Sequence, residues 1–518
     1  MRAALVAVSG RIARWARARW RSRRGRVLLA AVVVLALGVP SAFGFVLATV
    51  LGGDGGDGSP ATRTATIGVL APLSGELSAD GTSVRNAVAL AVDEANDDGA
   101  IPGWRLELSS RDDRSRPDGG AQAADAFAAN DRLIGVVGPV SSLVARVAVP
   151  TLSAAGIPVV APSTADPTLT GVGTGSTGTA AGGQARTRPY PTFFRLSGTD
   201  ELQAQVAAEY AVTTLGRRRI AVVDGEPRYG TTLGDRFAAH ATALGASVTA
   251  VYPTYADTDV DDVAASLEQE APDLVYVTAG ADFAGRLRAR LAEAETSIQV
   301  LGTDALLRPH YTATAKTAAD GDLITSLLVP PTRLPAAGAF VATYSQRYGG
   351  PADDQGGTTP SGASDGDSAG SADQGTEDGA AGDTSSAAAP AAAPTAGRAP
   401  GRPAAADPPD AASARQRQVA HDAAMELAQR RAAAIPAVAA YAYDAARAII
   451  RAAAAVLPRR TAVDPAARRG IVTAIGRGTF AGVSGTVSFD RWGDIEGPRV
   501  VLYTVLGGRF VAMTTRTS

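Results

Sequence analysis

Residues 66–71 read Thr-Ile-Gly-Val-Leu-Ala, residues 133–137 read Leu-Ile-Gly-Val-Val, and residues 157–161 read Ile-Pro-Val-Val-Ala. Runs that are apolar on both faces are typical of central strands in a parallel sheet. After the first run, apolar residues recur every three or four positions from Val84 to Ala95, which predicts one buried helical face. Strands alternating with helices predict a mostly parallel sheet with right-handed crossovers.

Small polar residues follow each of these strands. They are Ser74 in Pro-Leu-Ser-Gly, Ser141 and Ser142 in Gly-Pro-Val-Ser-Ser, and Ser163 and Thr164 in Pro-Ser-Thr-Ala-Asp-Pro. Open α/β sheets bind ligands beyond the carboxyl ends of their strands. The pattern therefore predicts a ligand cleft at this edge of the sheet.

The same alternation resumes between residues 201 and 301. The chain of 518 residues exceeds one ordinary domain, and its 46% hydrophobic content is enough for two cores. We therefore predict an α/β protein of two similar lobes, each a mostly parallel sheet flanked by helices, facing each other across a cleft.

Residue usage argues against catalysis and against metal or cofactor binding. The chain has no cysteine, and its three histidines, His240, His310 and His421, are isolated from one another. It also lacks a Gly-x-Gly-x-x-Gly motif opening a helix and a phosphate loop with its lysine. We therefore predict a binding protein without a metal or cofactor, not an enzyme.

Charge is distributed unevenly along the chain. Residues 1–26 hold nine arginines and no acid, which leaves 40 basic and 51 acidic residues afterwards, a net charge of −11 (40 minus 51). An acidic body lacks the basic face that binds nucleic acid, so we predict no nucleic-acid partner.

Residues 27–51 form an almost unbroken apolar run of 25 residues. That length predicts a transmembrane anchor, with basic residues 1–26 in the cytoplasm and the body outside the cell, after a linker at 52–63. The alternative is a cleaved signal peptide and a secreted protein, with Ala42 and Gly44 at the cleavage site.

Residues 351–418 are dominated by Ala, Gly, Ser, Pro and Asp and contain no aromatic residue. Such a composition buries too little apolar surface to fold, so we predict a disordered insertion. Its role is open between a solvated insertion without a specific function and a spacer or binding tail.

Several motifs together resemble the type I periplasmic substrate-binding proteins, the leucine/isoleucine/valine-binding family of ABC importers. They are Ile67–Gly75 (IGVLAPLSG), Ala89–Asn96 (ALAVDEAN), Val136–Ser142 (VVGPVSS), Asp166–Thr170 (DPTLT), Ala442–Ala445 (AYDA) and Phe480–Gly485 (FAGVSG). The resemblance covers roughly residues 64–350 and 430–518. It implies that two lobes joined by three crossover segments close on a ligand by hinge bending.

Carried over to this chain, the resemblance implies a first lobe of 64–194 and 305–480, which contains the insertion, and a second lobe of 195–304 and 481–518. The crossovers would lie near Arg195, Gly302 and Gly485.

In amino-acid-binding members, hydroxyls and backbone N–H groups hold the ligand carboxylate, and an acid of the second lobe holds its ammonium. The residues at these positions here are the donors Ser141, Ser142, Ser163 and Thr164, the acid Asp304 and the covering Tyr229. Each also has a simpler reading: the serines cap a helix, Ser163 and Thr164 shape a turn, Asp304 is a cap or a solvated turn acid, and Tyr229 packs.

Two departures bear on the ligand. The order Thr164-Ala165 displaces one hydroxyl by a residue, and Asp80 stands where an aromatic lid is usual, either as a ligand contact or as a plain helix cap. These changes favour a smaller, more polar or cationic ligand over a branched aliphatic one. The resemblance implies capture of an amino-acid-like or amide ligand and its delivery to an ABC permease. The alternative is a membrane-tethered sensor that signals through a partner protein.

Overall fold

The computed structural model describes residues 62–75, 77–171, 186–225, 232–349 and 409–517. The predicted anchor at 27–51, most of the predicted insertion and Tyr229 lie outside the described residues. The described chain from Arg63 onward belongs to one compact unit.

The first part of that unit forms a parallel five-stranded sheet in the order β2-β1-β3-β4-β5. Its elements are β1 Arg63–Ala71, α1 Ser78–Asp97, β2 Trp104–Asp112, α2 Pro117–Ala128, β3 Leu133–Val137, α3 Ser142–Ala154, β4 Val159–Ala161 and β5 Phe193–Arg195. Every residue of β3 is buried, as expected of an apolar strand within a parallel sheet.

The chain then enters a second α/β layer. Its elements are α4 Asp200–Glu209, β6 Arg219–Asp224, α5 Leu233–Ala243, β7 Ser247–Pro253, α6 Val260–Glu270, β8 Leu274–Val277, α7 Ala281–Glu293, β9 Gln299–Gly302, α8 Pro309–Ala315 and β10 Leu323–Ser326. These strands are parallel and lie in the order β10-β9-β8-β6-β7. This confirms the prediction of two similar α/β lobes.

The remaining elements serve both lobes. They are α9 Gly338–Tyr348, α10 Pro409–Ala433, α11 Ala437–Val456, α12 Pro465–Arg477, β11 Phe480–Ala481, β12 Thr486–Val487, β13 Arg499–Leu506 and β14 Arg509–Thr517. Helix α11 packs on α1, β3 and β4 of the first lobe, and β13 and β14 extend the second sheet beyond β10 as antiparallel strands.

The second crossover lies further along the chain than predicted. Strand β10 pairs with β9 and β13 in the second sheet, so residues up to Ser326 belong to the second lobe and not to the first. The return to the first lobe follows at Val329, whose N–H donates to the Tyr441 hydroxyl of α11 at 3.0 Å.

The predicted disordered segment 351–418 is also too long, because α10 begins at Pro409. Among the described residues no single helix is long and apolar enough to cross a membrane. Two consecutive helices, His421–Ala433 and Ala437–Arg459, are together long and apolar enough by length and composition, but the chain bends sharply between them. The second helix of this pair is built mainly of buried residues of the first lobe.

Candidate functional site

The turn after β3 and the turn after β4 are joined by side-chain hydrogen bonds. Ser163 Oγ donates to the Val140 carbonyl at 2.8 Å, and Thr164 Oγ1 donates to the Pro139 carbonyl at 2.8 Å. Ser142 Oγ accepts from the N–H groups of Ala165 and Asp166, each at 3.2 Å. The two predicted ligand-binding turns therefore form one rigid surface.

These bonds separate the four predicted hydroxyl donors into two kinds. The protons of Ser163 and Thr164 are already engaged, and Thr164 is fully buried, so the structure makes Thr164 part of the turn and not of the ligand surface. Ser141 Oγ accepts from Val144 N–H at 3.3 Å and caps α3, while Ser142 accepts as described above. A hydroxyl that accepts can still donate its own proton, so half-buried Ser141 and Ser142 remain available as donors.

Gly138 allows the end of β1 to pack closely against the turn after β3. Its φ is +114°, and a Cβ there would lie 2.0 Å from the Leu70 carbonyl oxygen at the end of β1. Only glycine adopts this backbone without strain, so the close contact of β1 with the Gly-Pro-Val-Ser-Ser turn depends on the missing side chain.

Ser74 belongs to a neighbouring loop that Asp112 organises. Ser74 Oγ donates to Asp112 Oδ2 at 2.5 Å, and the N–H groups of Leu73 and Arg114 donate to Oδ1 at 2.8 Å. Burial opposes ionisation of Asp112, but these hydrogen bonds outweigh it and lower the pKa of its carboxyl. The Ser74 proton is thus committed to a loop acid that sequence reasoning had missed.

On the second lobe, Asp304 follows β9 and is exposed to solvent. Gln203 of α4 directs its Nε2 toward Asp304 Oδ1 at 3.5 Å and also donates to the Thr325 carbonyl at 3.1 Å. Surrounding protein nevertheless desolvates the Asp304 carboxyl and raises its pKa, while Gln203 and the nearby Arg308 act in the opposite direction. The predicted acid therefore stands at the carboxyl end of its strand.

Asp200 is a second acid at this place, and sequence reasoning had missed it. It follows the cap Thr199 in the first turn of α4, and its N–H donates to the Ala165 carbonyl of the first lobe at 2.9 Å. Desolvation, with the charges of Asp304 and Asp166, raises the pKa of Asp200 to about 6. Its position could have identified Asp200 as a candidate, because it is an acid at the start of the helix that directly follows the first crossover.

A buried aromatic pair lies near the two acids. Tyr276 of β8 is fully buried and stacks on Phe237 with ring centroids 3.8 Å apart. Desolvation, together with the charges of Asp200 and Asp304, raises the pKa of the Tyr276 phenol well above its ordinary value. The phenol therefore stays in its neutral form.

Asp80, in the first turn of α1, pairs with Arg308 of the second lobe, with Oδ2 and Nη2 2.6 Å apart. The pair spans the two lobes and neutralises the acid that stands at the position of the expected aromatic lid. The described residues contain no group of three or more acids or histidines suited to a metal ion.

The assembled surface is bipolar. The first lobe offers the hydroxyl protons of Ser141 and Ser142, and the second lobe offers the carboxyls of Asp200 and Asp304. The contact of Asp200 N–H with Ala165, whose own N–H binds Ser142, joins the two ends into one region. Such a region suits a small ligand that carries a negative group at one end and a positive group at the other.

Comparison with known proteins agrees with this fold. The periplasmic binding protein family model matches residues 64–359. The Leu/Ile/Val-binding protein BraC3 of Rhizobium johnstonii is 31% identical over 264 residues, which cover 50% of this chain and 67% of that protein. The chain belongs to the periplasmic binding protein family, and within it to the type I proteins of the branched-chain amino acid group.

Two solved structures share the fold. A leucine-binding protein from Thermotoga maritima is similar with a TM-score of 0.60 at 19% identity, over 87% of this chain and 98% of that one. A branched-chain amino acid substrate-binding protein from Streptococcus pneumoniae, solved with isoleucine, is similar with a TM-score of 0.59 at 16% identity, over 88% and 99%.

Proposed function

We propose that this chain is an extracytoplasmic solute-binding protein that captures a zwitterionic amino acid between its lobes and delivers it to an ABC permease. The observation that carries the proposal is the bipolar surface, with free hydroxyl protons at Ser141 and Ser142 on one lobe and the acids Asp200 and Asp304 on the other. The relatives include Leu/Ile/Val-binding proteins, which supports the same ligand class.

The Asp80–Arg308 pair changes the ligand expected from the sequence. An unpaired Asp80 favoured a cationic ligand, but here its charge is balanced by Arg308. The remaining acids, Asp200 and Asp304, suffice for one ammonium group. A neutral zwitterion therefore suits the site better than a dication.

The proposal includes the location of the protein. The apolar run at 27–51, flanked by nine arginines, supports a membrane anchor that holds the binding lobes outside the cell. Protease added to intact cells should digest the body and leave the arginine-rich end protected. Release of a shortened soluble protein would instead indicate signal cleavage.

Calorimetric titration of the full-length protein in detergent tests the binding function. The panel contains leucine, isoleucine, valine, lysine, glutamate, acetamide and urea. We expect binding of at least one neutral amino acid, weakened about tenfold or more by Ser142→Ala, because a donor to the carboxylate is lost. Ser153→Ala, on the same helix α3 at its far end, is the matched control and should bind like wild type.

Absence of binding by a folded protein across the whole panel would contradict the proposal and would favour a sensor whose partner is another protein. Equal affinity in the Ser142→Ala variant would contradict the role of Ser142 as a donor to the ligand.

A further inference from the structure

The ion pair between Asp80 and Arg308 joins two rigid helix starts on different lobes. Asp80 lies in the first turn of α1, where Ser83 Oγ donates to its carbonyl at 2.7 Å. Arg308 is the N-cap residue of α8, and its carbonyl accepts from Tyr311 N–H at 3.0 Å. Neither residue lies on a long loop. The distance between the two side chains therefore depends on how the two lobes are placed relative to each other.

The two side chains are in direct contact. Oδ2 and Nη2 are 2.6 Å apart, and the side chains of Asp80 and Arg308 are 14% and 38% exposed. Hinge opening moves the carboxyl ends of the two sheets apart, which separates these side chains. The contact can therefore exist only while the lobes are close together.

We propose that the Asp80–Arg308 ion pair stabilises the closed arrangement of the lobes before any ligand binds. An interaction made in only one of two conformations shifts the population toward that conformation. The charges of Asp80 and Arg308 both act on Asp304, so the pair lies near an acid of the proposed ligand site.

The expected effect is moderate, because partly exposed ion pairs are weak. Loss of such a pair should lower the ratio of closed to open molecules by about two- to fivefold. High salt should shift the wild type in the same direction but by less, because a partly buried ion pair is screened only in part.

Spin-label distance measurement tests the proposal without any ligand, so the result does not depend on the proposed binding function. The chain contains no cysteine, so Gln122→Cys on α2 and Asp257→Cys between β7 and α6, both exposed, provide unique label sites on the two lobes. The full-length protein in detergent is measured with wild-type residues, with Asp80→Asn, with Arg308→Gln and with both changes.

We expect each single variant to shift the distance distribution toward longer values, and the double variant to shift it no further than one single variant does. The matched control is Asp93→Asn. Asp93 also lies on α1 and pairs with Arg347 of α9 within the same lobe, so its loss should leave the distribution unchanged.

Unchanged distributions in both single variants would overturn the proposal. Additive shifts in the double variant would do the same, since they would show that the two side chains act independently. If one single variant does not fold, the other decides: an unchanged distribution in the folded variant would overturn the proposal.

Discussion

Arg195 Nε lies 2.5 Å from Asp494 Oδ1, and this ion pair connects the end of β5 with the segment between β12 and β13. Arg195 is fully buried, and its Nη1 also donates to the Asp166 carbonyl at 2.7 Å. Burial opposes ionisation of Asp494, but Arg195 and Arg186 outweigh it and lower the pKa of its carboxyl. One buried guanidinium thus links two interlobe segments to the turn that carries Ser163.

Removal of the Asp494 charge should destabilise the protein strongly. Asp494→Asn leaves the Arg195 guanidinium buried without its anion, and breaking a buried pair in this way costs about 3 kcal/mol. Urea unfolding of the wild type and the variant measures the difference. Asp118→Asn, which removes a partner of exposed Arg116, should leave the midpoint unchanged. Equal losses in the two variants would contradict a special role for Asp494.

Gly138→Ala should disrupt the turn that holds Ser141 and Ser142. The new methyl would meet the Leu70 carbonyl, and the positive φ would be strained, so we expect a loss of about 2 kcal/mol or more together with weaker ligand binding. Gly280→Ala is the control, because a Cβ there meets nothing within 4 Å. Thermal unfolding and calorimetry check both effects, and a Gly138→Ala protein as stable as wild type would refute the prediction.

Asp200 should make stability depend on pH. Its pKa is raised from 3.8 to about 6, mainly by desolvation, so the folded protein holds this proton to higher pH than the unfolded chain does. The resulting stabilisation is full below about pH 4 and is lost as the pH rises through about 6. Asp200→Asn cannot ionise, so it should be more stable than wild type at pH 8, by on the order of 2 kcal/mol.

Urea unfolding of the wild type and Asp200→Asn from pH 3.5 to pH 8 measures this difference. It should be close to zero at the acid end and should grow between pH 4 and pH 6. A difference that stays constant over the whole range would show that Asp200 ionises as it does in the unfolded chain.

Ile449→Ala should show that the chain after residue 409 completes the first lobe. Ile449 of α11 is fully buried, and a Cβ at Gly135 of β3 would lie only 3.1 Å from it. Truncation should cost about 3 kcal/mol through lost burial and the cavity left behind. Met425→Ala on the exposed face of α10 should change stability little. A small effect of Ile449→Ala would mean that α11 contributes little to this core.

The fold was predictable wherever one strand or helix is long and strongly patterned. Strand β3 is apolar at every position and proved fully buried, and α1 buries the predicted face that includes Val84 and Val88. The predicted position of the second crossover was wrong because β10 has only four residues. The sheet to which β10 belongs becomes clear only from its pairing with β9 and β13. Short strands carry too little pattern to reveal their partners.

The positions of the candidate site residues along the chain were predictable from the sequence, but the hydrogen-bonding role of each residue was not. Ser142 and Asp304 lie beyond the carboxyl ends of β3 and β9, and their contact with a ligand stays a prediction. The state of each hydroxyl was not readable, since the proton of Ser163 is engaged by a carbonyl 23 residues away in sequence, and that of Thr164 by one 25 residues away. Asp112 and Asp200 were missed because a single acid beside a turn resembles any other.

The amino-acid sequence by itself determined the alternation of strands and helices and the positions of the turns, because these depend on residues close together in the chain. It also determined the lack of thiol chemistry, because that depends only on residue type. The tertiary structure decided which acids lie near one another, which hydroxyls donate to carbonyl groups, and that Asp80 meets Arg308 across the lobes. Those properties depend on desolvation and on distances of a few ångströms between residues far apart in the chain, and these exist only once the chain has folded.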